Sequence, residues 1–131
     1  MPELPEVETT LRGITPHTVK RRVSKVVIRQ ACLRWPIPAE LPELIEHQTL
    51  NGITRRGKYL LFKFAHGNAL IHLGMSGSLR IVKTGTPPNV HDHFDWEFGD
   101  ISLRYHDPRR FGCLLWIEGE PKNHKLLAQL G

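Results

Sequence analysis

Pro2 stands directly behind the initiator methionine in the opening MPELPEVETT, with Glu3 beside it. Removal of Met1, which a small neighbouring side chain favours, leaves the chain beginning with a secondary amine. An α-amino group ordinarily titrates at about 7.7–8.0, far below lysine, so a useful fraction is unprotonated and nucleophilic near neutral pH. A secondary amine that attacks an aldehyde-level carbon passes to a positively charged iminium, an electron sink for later eliminations. Glu3 is near enough in sequence to shuttle protons. The residues that follow have a plainer explanation: Pro5 suits the first turn of a helix, and Glu6 and Glu8 complement the positive end of its dipole. Pro2 is left over.

Three turn regions hold the other informative side chains. In RRGKYLL, Lys58 follows Gly57 at the entry to a strongly apolar strand, a place where a lysine is ordinarily just solvated. In HLGMSGSLR, Met75 sits between Gly74 and Gly77 at a turn tip, where an exposed methionine has no packing reason to be. In YHDPRRFGC, Asp107 and Pro108 start a tight turn, Arg109 and Arg110 occupy its apex, and Phe111 precedes Gly112. That last pattern fits either a solvated turn with Phe111 folded inward or a probe for nucleic acid. Apolar side chains inserted between base steps, with an arginine in the vacated space, unstack and kink a duplex, and such a wedge serves base flipping. Met75 and Phe111 belong to one wedge if their hairpins are neighbours. His91, Asp92 and His93 form an HDH triplet that, with His72 and His106, resembles part of a metal site; no second cluster at ligand spacing supports that, so phosphate or turn contacts are preferred and no metal is assigned.

These residues must be carried by 131 residues, a length that suits one domain with a real core. Eighteen Lys and Arg against thirteen Asp and Glu give a net charge of +5, with a pI of about 9.6, the balance expected of a nucleic-acid binder or of a merely basic protein. No apolar run approaches a membrane span and the N-terminus lacks the features of a signal peptide, so a cytoplasmic protein without membrane contact is expected. Cys32 and Cys113 are far apart and read as two buried thiols.

The pattern predicts a short helix from Pro5 to about Arg12, capped by Gly13. VSKVVIRQ alternates as a half-buried strand, LRWPIPAELP must be irregular, and PELIEH carries a second short helix. GITRR, KYLLFKF, NALIHLG, SLRIVK, HFDWEF, ISLRY and FGCLLWI then follow as strands separated by turn signals. TGTPPNVH, from Thr84 to His91, is the longest loop and is expected to move. HKLLAQLG reads as the start of another helix. There is no βαβ alternation, so the expected fold is mainly β within the α+β class: an antiparallel β-sandwich with flanking helices and an N-terminal catalytic helix.

With these pieces assembled, the chain resembles the N-terminal domain of the formamidopyrimidine-DNA glycosylases, bacterial enzymes that remove oxidised purines from DNA. The matching segments are MPELPEVET, LRW, RRGKYLL, IHLGMSGSLR, HDH and DPRRFG, in order along nearly the whole chain. PELPEVE with DPRRFG is similar to the purine-directed branch rather than to the endonuclease VIII branch. The resemblance implies Pro2 as the nucleophile that attacks C1′ and holds the opened sugar as a Schiff base, and Glu3 as the acid that protonates that sugar. It implies Lys58 in phosphate contact and proton transfer, Met75, Arg109 and Phe111 in the gap left by the flipped base, and His91 and Arg109 in DNA contact. Glu6 is implied to help shape the lesion pocket.

The family's chains continue into a helix-two-turns-helix segment and a zinc finger, both absent from this sequence. Residues 1–131 are therefore expected to be a single N-terminal catalytic domain, monomeric, needing no cofactor itself, with zinc confined to the absent portion. Its expected partner is damaged double-stranded DNA, bound weakly and with strong salt dependence, and excision by this chain alone is expected to be slight. Two rivals stay open on the sequence: a non-catalytic DNA-binding module, and an N-terminal-proline tautomerase, whose proline would start a strand in a small βαβ unit.

Overall fold

The computed structural model describes residues 4–119; Pro2, Glu3 and the expected HKLLAQLG helix lie outside the described residues. α1 (Leu4–Thr18) is followed by β1 (Lys25–Ile28) and α2 (Leu41–Ile45). Then come β2 (Gly52–Arg56), β3 (Tyr59–Phe64), β4 (Gly67–His72) and β5 (Ser78–Lys83). β6 (Asp92–Phe98), β7 (Ile101–His106) and β8 (Cys113–Glu118) complete the series. The strands form two antiparallel sheets, ordered β1-β6-β7-β5 and β2-β3-β4-β8. The expected sandwich is present.

Its core lies between the sheets. Alternation along β3 turns Leu60, Phe62 and Phe64 inward to meet Phe94, Trp96 and Phe98 of β6. Trp96 anchors the contact, with Phe62 edge-on to it at 5.1 Å between ring centroids. The opposite face of β3 presents Tyr59 and Leu61, which join Leu70, Cys113 and Ile117 in a second cluster covered by Trp35. Trp35 of the proline-rich connection LRWPIPAELP thus packs on the outer face of the second sheet, while its Leu33, Ile37 and Leu41 join the main core.

α1 is longer than the sequence pattern predicts. Val7, Leu11, Ile14 and Thr18 recur at helical spacing and face the core, so the packed stripe runs past Gly13. Gly13 lies on the outer side, with open space where a side chain would be, and caps nothing. Pro16 forfeits one backbone hydrogen bond within the last turn and the helix ends at Thr18. Glu8 clasps Arg55 of β2 at 3.0 Å, which fastens the helix to the second sheet.

One other expectation is corrected. Cys113 is buried, but Cys32 is exposed because it falls in the irregular connection rather than in a strand. The Thr84–His91 loop, mostly exposed, is hydrogen-bonded to the first sheet. Arg104, 2% exposed, grips both oxygens of Asp95 at 2.9 Å and donates to the Thr86 carbonyl at 2.7 Å. Arg29 reaches the same Asp95 oxygens at 3.1 and 2.7 Å. Asp92 accepts from the Asn89 N–H at 2.7 Å and from His106 Nδ1 at 2.8 Å, so the loop is tied at several points to the first sheet.

Burial opposes ionisation of Asp95, but hydrogen bonds and charge from Arg104 and Arg29 outweigh it and hold its carboxyl below the usual range. Asp92 is held low in the same way, burial being overcome by the Asn89 N–H, His106 and Arg80. A depressed carboxyl stabilises the fold above its unfolded pKa and ceases to do so as pH falls through the folded value. Thermal melts should therefore be flat from pH 7 down to about 4 and drop steeply below it. Asp95→Ala, which strands the buried Arg104 guanidinium and removes the partner of the more exposed Arg29, should cost about 3–5 kcal/mol in denaturant titrations at pH 7.

Candidate nucleic-acid interface

The strand register dictates which turns meet. β4 pairs with β8 up to His72↔Cys113, and β5 pairs with β7 from Ser78↔His106. β4 and β8 belong to one sheet, β5 and β7 to the other, so residues 73–77 and 107–112 are two crossings between sheets. Because their flanking strands are paired at both ends, the crossings must run side by side. A Cβ added to Gly74 would come within 2.5 Å of the Gly112 nitrogen and 2.7 Å of the Phe111 carbonyl carbon, so the crossings touch backbone to backbone. Only glycine permits that approach.

On this paired base stand the exposed tips. Met75 is 51% and Phe111 48% exposed, and Arg109 lines the same cleft, its Nη1 4.0 Å from the Met75 Sδ. The three side chains expected to form one wedge are thus brought together. Beside them opens a cleft of about 690 Å³ lined by Leu33, Arg34 and His72 as well as by the tips. Arg110 adopts a left-handed backbone (φ 56°) that turns the chain sharply at the apex.

One buried residue organises these turns. The carboxyl of Asp107 accepts from Ser76 Oγ at 2.8 Å, from the Tyr105 hydroxyl at 2.7 Å and from the Gly112 N–H at 3.0 Å. Ser76 belongs to the Met75 crossing, and its Oγ also accepts the Arg109 N–H at 3.4 Å. The Asp107 N–H donates to the His91 carbonyl at 3.0 Å, and its carbonyl lies 2.7 Å from His93 Nε2. The backbones of the Met75, Arg109 and Phe111 turns are therefore referred to the Asp107 side chain, and that of His91 to the Asp107 main chain. In the sequence Asp107 reads only as a turn residue; its carboxyl's long-range partners are invisible there because they depend on the pairing of β4 with β8.

Lys58 is exposed in the β2–β3 turn. Arg55 donates to the Gly57 carbonyl at 3.1 Å while holding Glu8 of α1, so the lysine's turn and the first helix share an anchor. His72 lines the cleft; the sequence pattern suggested it only as a metal ligand. Its Nδ1 accepts the Gly74 N–H at 3.0 Å, which leaves Nε2–H as the donor of the neutral ring. Burial, and then the charges of Arg34 and Lys58, lower its pKa. His91 is half-buried, its ring 5.9 Å from that of His106. Among the described residues no group of three His, Cys, Asp or Glu side chains is arranged to hold a metal ion. Pro2 and Glu3 lie outside the described residues, and Glu6 is exposed on the first turn of α1.

Two outcomes check this geometry. Asp107→Ala should lower stability by about 3 kcal/mol, because it orphans buried donors, whereas Ser76→Ala should cost about 1 kcal/mol. In a proton–nitrogen correlation titration, His72 should remain neutral at pH 7, carry its proton on Nε2 and titrate below about 6.5.

Residues 1–114 match the family described as "Formamidopyrimidine-DNA glycosylase N-terminal domain". The formamidopyrimidine-DNA glycosylase of Cellvibrio japonicus is 64% identical over 131 residues, covering all of this chain and 48% of that protein. That of Methylococcus capsulatus is 61% identical over 132 residues, covering 49% of its length. Among solved structures, Lactococcus lactis formamidopyrimidine-DNA glycosylase bound non-covalently to DNA containing an AP site superposes with a TM-score of 0.86 at 30% identity, covering 98% of this chain and 49% of that one. Its complex with DNA containing FAPY-dG gives 0.84 at 30% identity, over 98% and 47%. The chain spans about half the length of the relatives it matches. From the shared sequence and the shared sandwich, the chain belongs to the formamidopyrimidine-DNA glycosylase family, as its N-terminal domain.

Proposed function

We propose that this domain engages damaged double-stranded DNA and supplies the nucleophile and the wedge of a base-excision glycosylase and AP lyase acting on oxidised purines such as 8-oxoguanine and formamidopyrimidines. The observation that carries the reading is the convergence of Met75, Arg109 and Phe111 into one exposed, partly apolar tip on a basic molecule. Similarity to the Lactococcus lactis enzyme, solved on abasic and FAPY-dG DNA, supports the substrate class.

The chemistry runs through one intermediate. With Met1 removed, the Pro2 nitrogen attacks C1′ as the damaged base departs with the glycosidic electrons and takes up a proton. Glu3 protonates the ring oxygen as the sugar opens, leaving a C1′ iminium. The iminium acidifies C2′; loss of that proton expels the 3′-phosphate by β-elimination, and δ-elimination then expels the 5′-phosphate. Lys58 moves a proton in these steps and contacts phosphate. The neutral His72 donates Nε2–H to a backbone phosphate alongside Lys58 and Arg34, and His91 adds a further DNA contact. Met75 and Phe111 fill the space left by the extruded nucleoside while Arg109 faces the orphaned base. The domain works in the cytoplasm, without a membrane; among the described residues no helix is long and apolar enough to cross one.

Borohydride trapping on a duplex containing an abasic site, run beside an intact mass spectrum, tests the reading. A covalent adduct should form with the methionine-free chain and vanish in Pro2→Gly. Absence of adduct from methionine-free protein at saturating DNA would overturn the lyase assignment. DNA affinity should be weak and fall steeply between about 50 and 200 mM salt, as phosphate-dominated binding does.

A further inference from the structure

We propose that Met75 is a site of reversible sulfur oxidation, and that its sulfoxide disables the wedge by clamping Arg109. The inference rests on the DNA reading above but assigns a modification which that reading does not contain.

Met75 is the one methionine of the sequence beyond the initiator. Half of it is open to solvent, and it borders the cleft of about 690 Å³, so a small hydroperoxide has free access to the sulfur. Its Sδ stands 4.0 Å from Arg109 Nη1. A thioether is a weak acceptor, so in the reduced state this contact holds the arginine loosely. In the oxidation the sulfur lone pair attacks one peroxide oxygen and the O–O bond breaks. The other oxygen leaves as hydroxide and is protonated to water; sulfur loses two electrons and the peroxide gains them. The new oxygen is a strong acceptor, and on the Arg109 side of the sulfur it falls within charge-assisted hydrogen-bond range of the guanidinium, ~2.8 Å.

Two effects then combine. The methionine tip changes from a flexible apolar side chain to a polar, chiral one that no longer favours insertion between base steps. The guanidinium that should face the orphaned base is held back on the sulfoxide. Phe111 alone remains unaltered. Methionine sulfoxide reductase restores the thioether, taking the oxygen as water while a dithiol becomes a disulfide.

Cys32 lines the same cleft and is exposed, so the test must separate two sulfurs. The chain is treated with hydrogen peroxide, the oxidised peptide is identified by mass, and wedge insertion is read as the fluorescence rise of 2-aminopurine placed beside an abasic site. The oxidised chain should need about tenfold more protein for the same rise. Methionine sulfoxide reductase should reverse the loss and a thiol alone should not. Met75→Leu, whatever its own starting level, should show no change on peroxide treatment. Oxygen on Met75 with an unaltered rise would overturn the proposal, as would a loss that persists in Met75→Leu or is reversed by thiol alone. If the untreated chain produces no rise at saturation, the DNA reading itself fails and this inference with it.

Discussion

The carboxyl of Asp107 accepts from a serine on one sheet crossing, from a tyrosine within the core and from a backbone N–H on the neighbouring crossing. A buried acceptor of this kind cannot be left partly filled, because each missing partner exposes the desolvation cost of the others. The exposed tips therefore inherit their positions from below. Met75 and Phe111 are each about half exposed, yet the backbone carrying them is fixed by hydrogen bonds that converge on a fully buried carboxyl. An exposed apolar group held on a rigid base loses little conformational freedom on contact with a partner, which favours a probe over a merely sticky surface.

The charged cluster of the first sheet does related work for the loop before β6. Buried ion pairs seldom add net stability over apolar packing, and their better-supported role is to select one arrangement. Here Arg104 joins Asp95 to the Thr86 carbonyl, and Asp92 joins the Asn89 N–H to His106. A loop rich in proline and glycine, with little apolar surface to bury, gains a defined course through these polar ties, and His91 at its end is presented from a set direction.

Much of the architecture is legible in the sequence because period and punctuation agree. The alternation in KYLLFKF and the turn residues between strands leave few options, and GITRR and SLRIVK form strands over the very residues read from them. The end of α1 is misread when Gly13 is weighed as a cap, although the stripe Val7, Leu11, Ile14 and Thr18 already points further along. Met75 and Phe111 are visible as apolar groups in places without a packing reason. Their common support is not: Ser76, Tyr105, Asp107 and Gly112 meet only through strand register, a long-range property that local patterns do not encode. His72 escapes for a similar reason, since its tautomer is set by the backbone of Gly74 after the chain has turned.

The crossings also tie the tip to the order in which the chain becomes folded. β2, β3 and β4 pair with their immediate neighbours, so that ribbon requires only short loop closures. The base beneath Met75 and Phe111 needs more, since Cys113 must return to His72 and His106 to Ser78 before residues 73–77 and 107–112 can touch. Such distant closures carry the larger entropic penalty and belong late in folding. A partly collapsed chain thus lacks the assembled tip, whose two halves meet only once both sheets are complete.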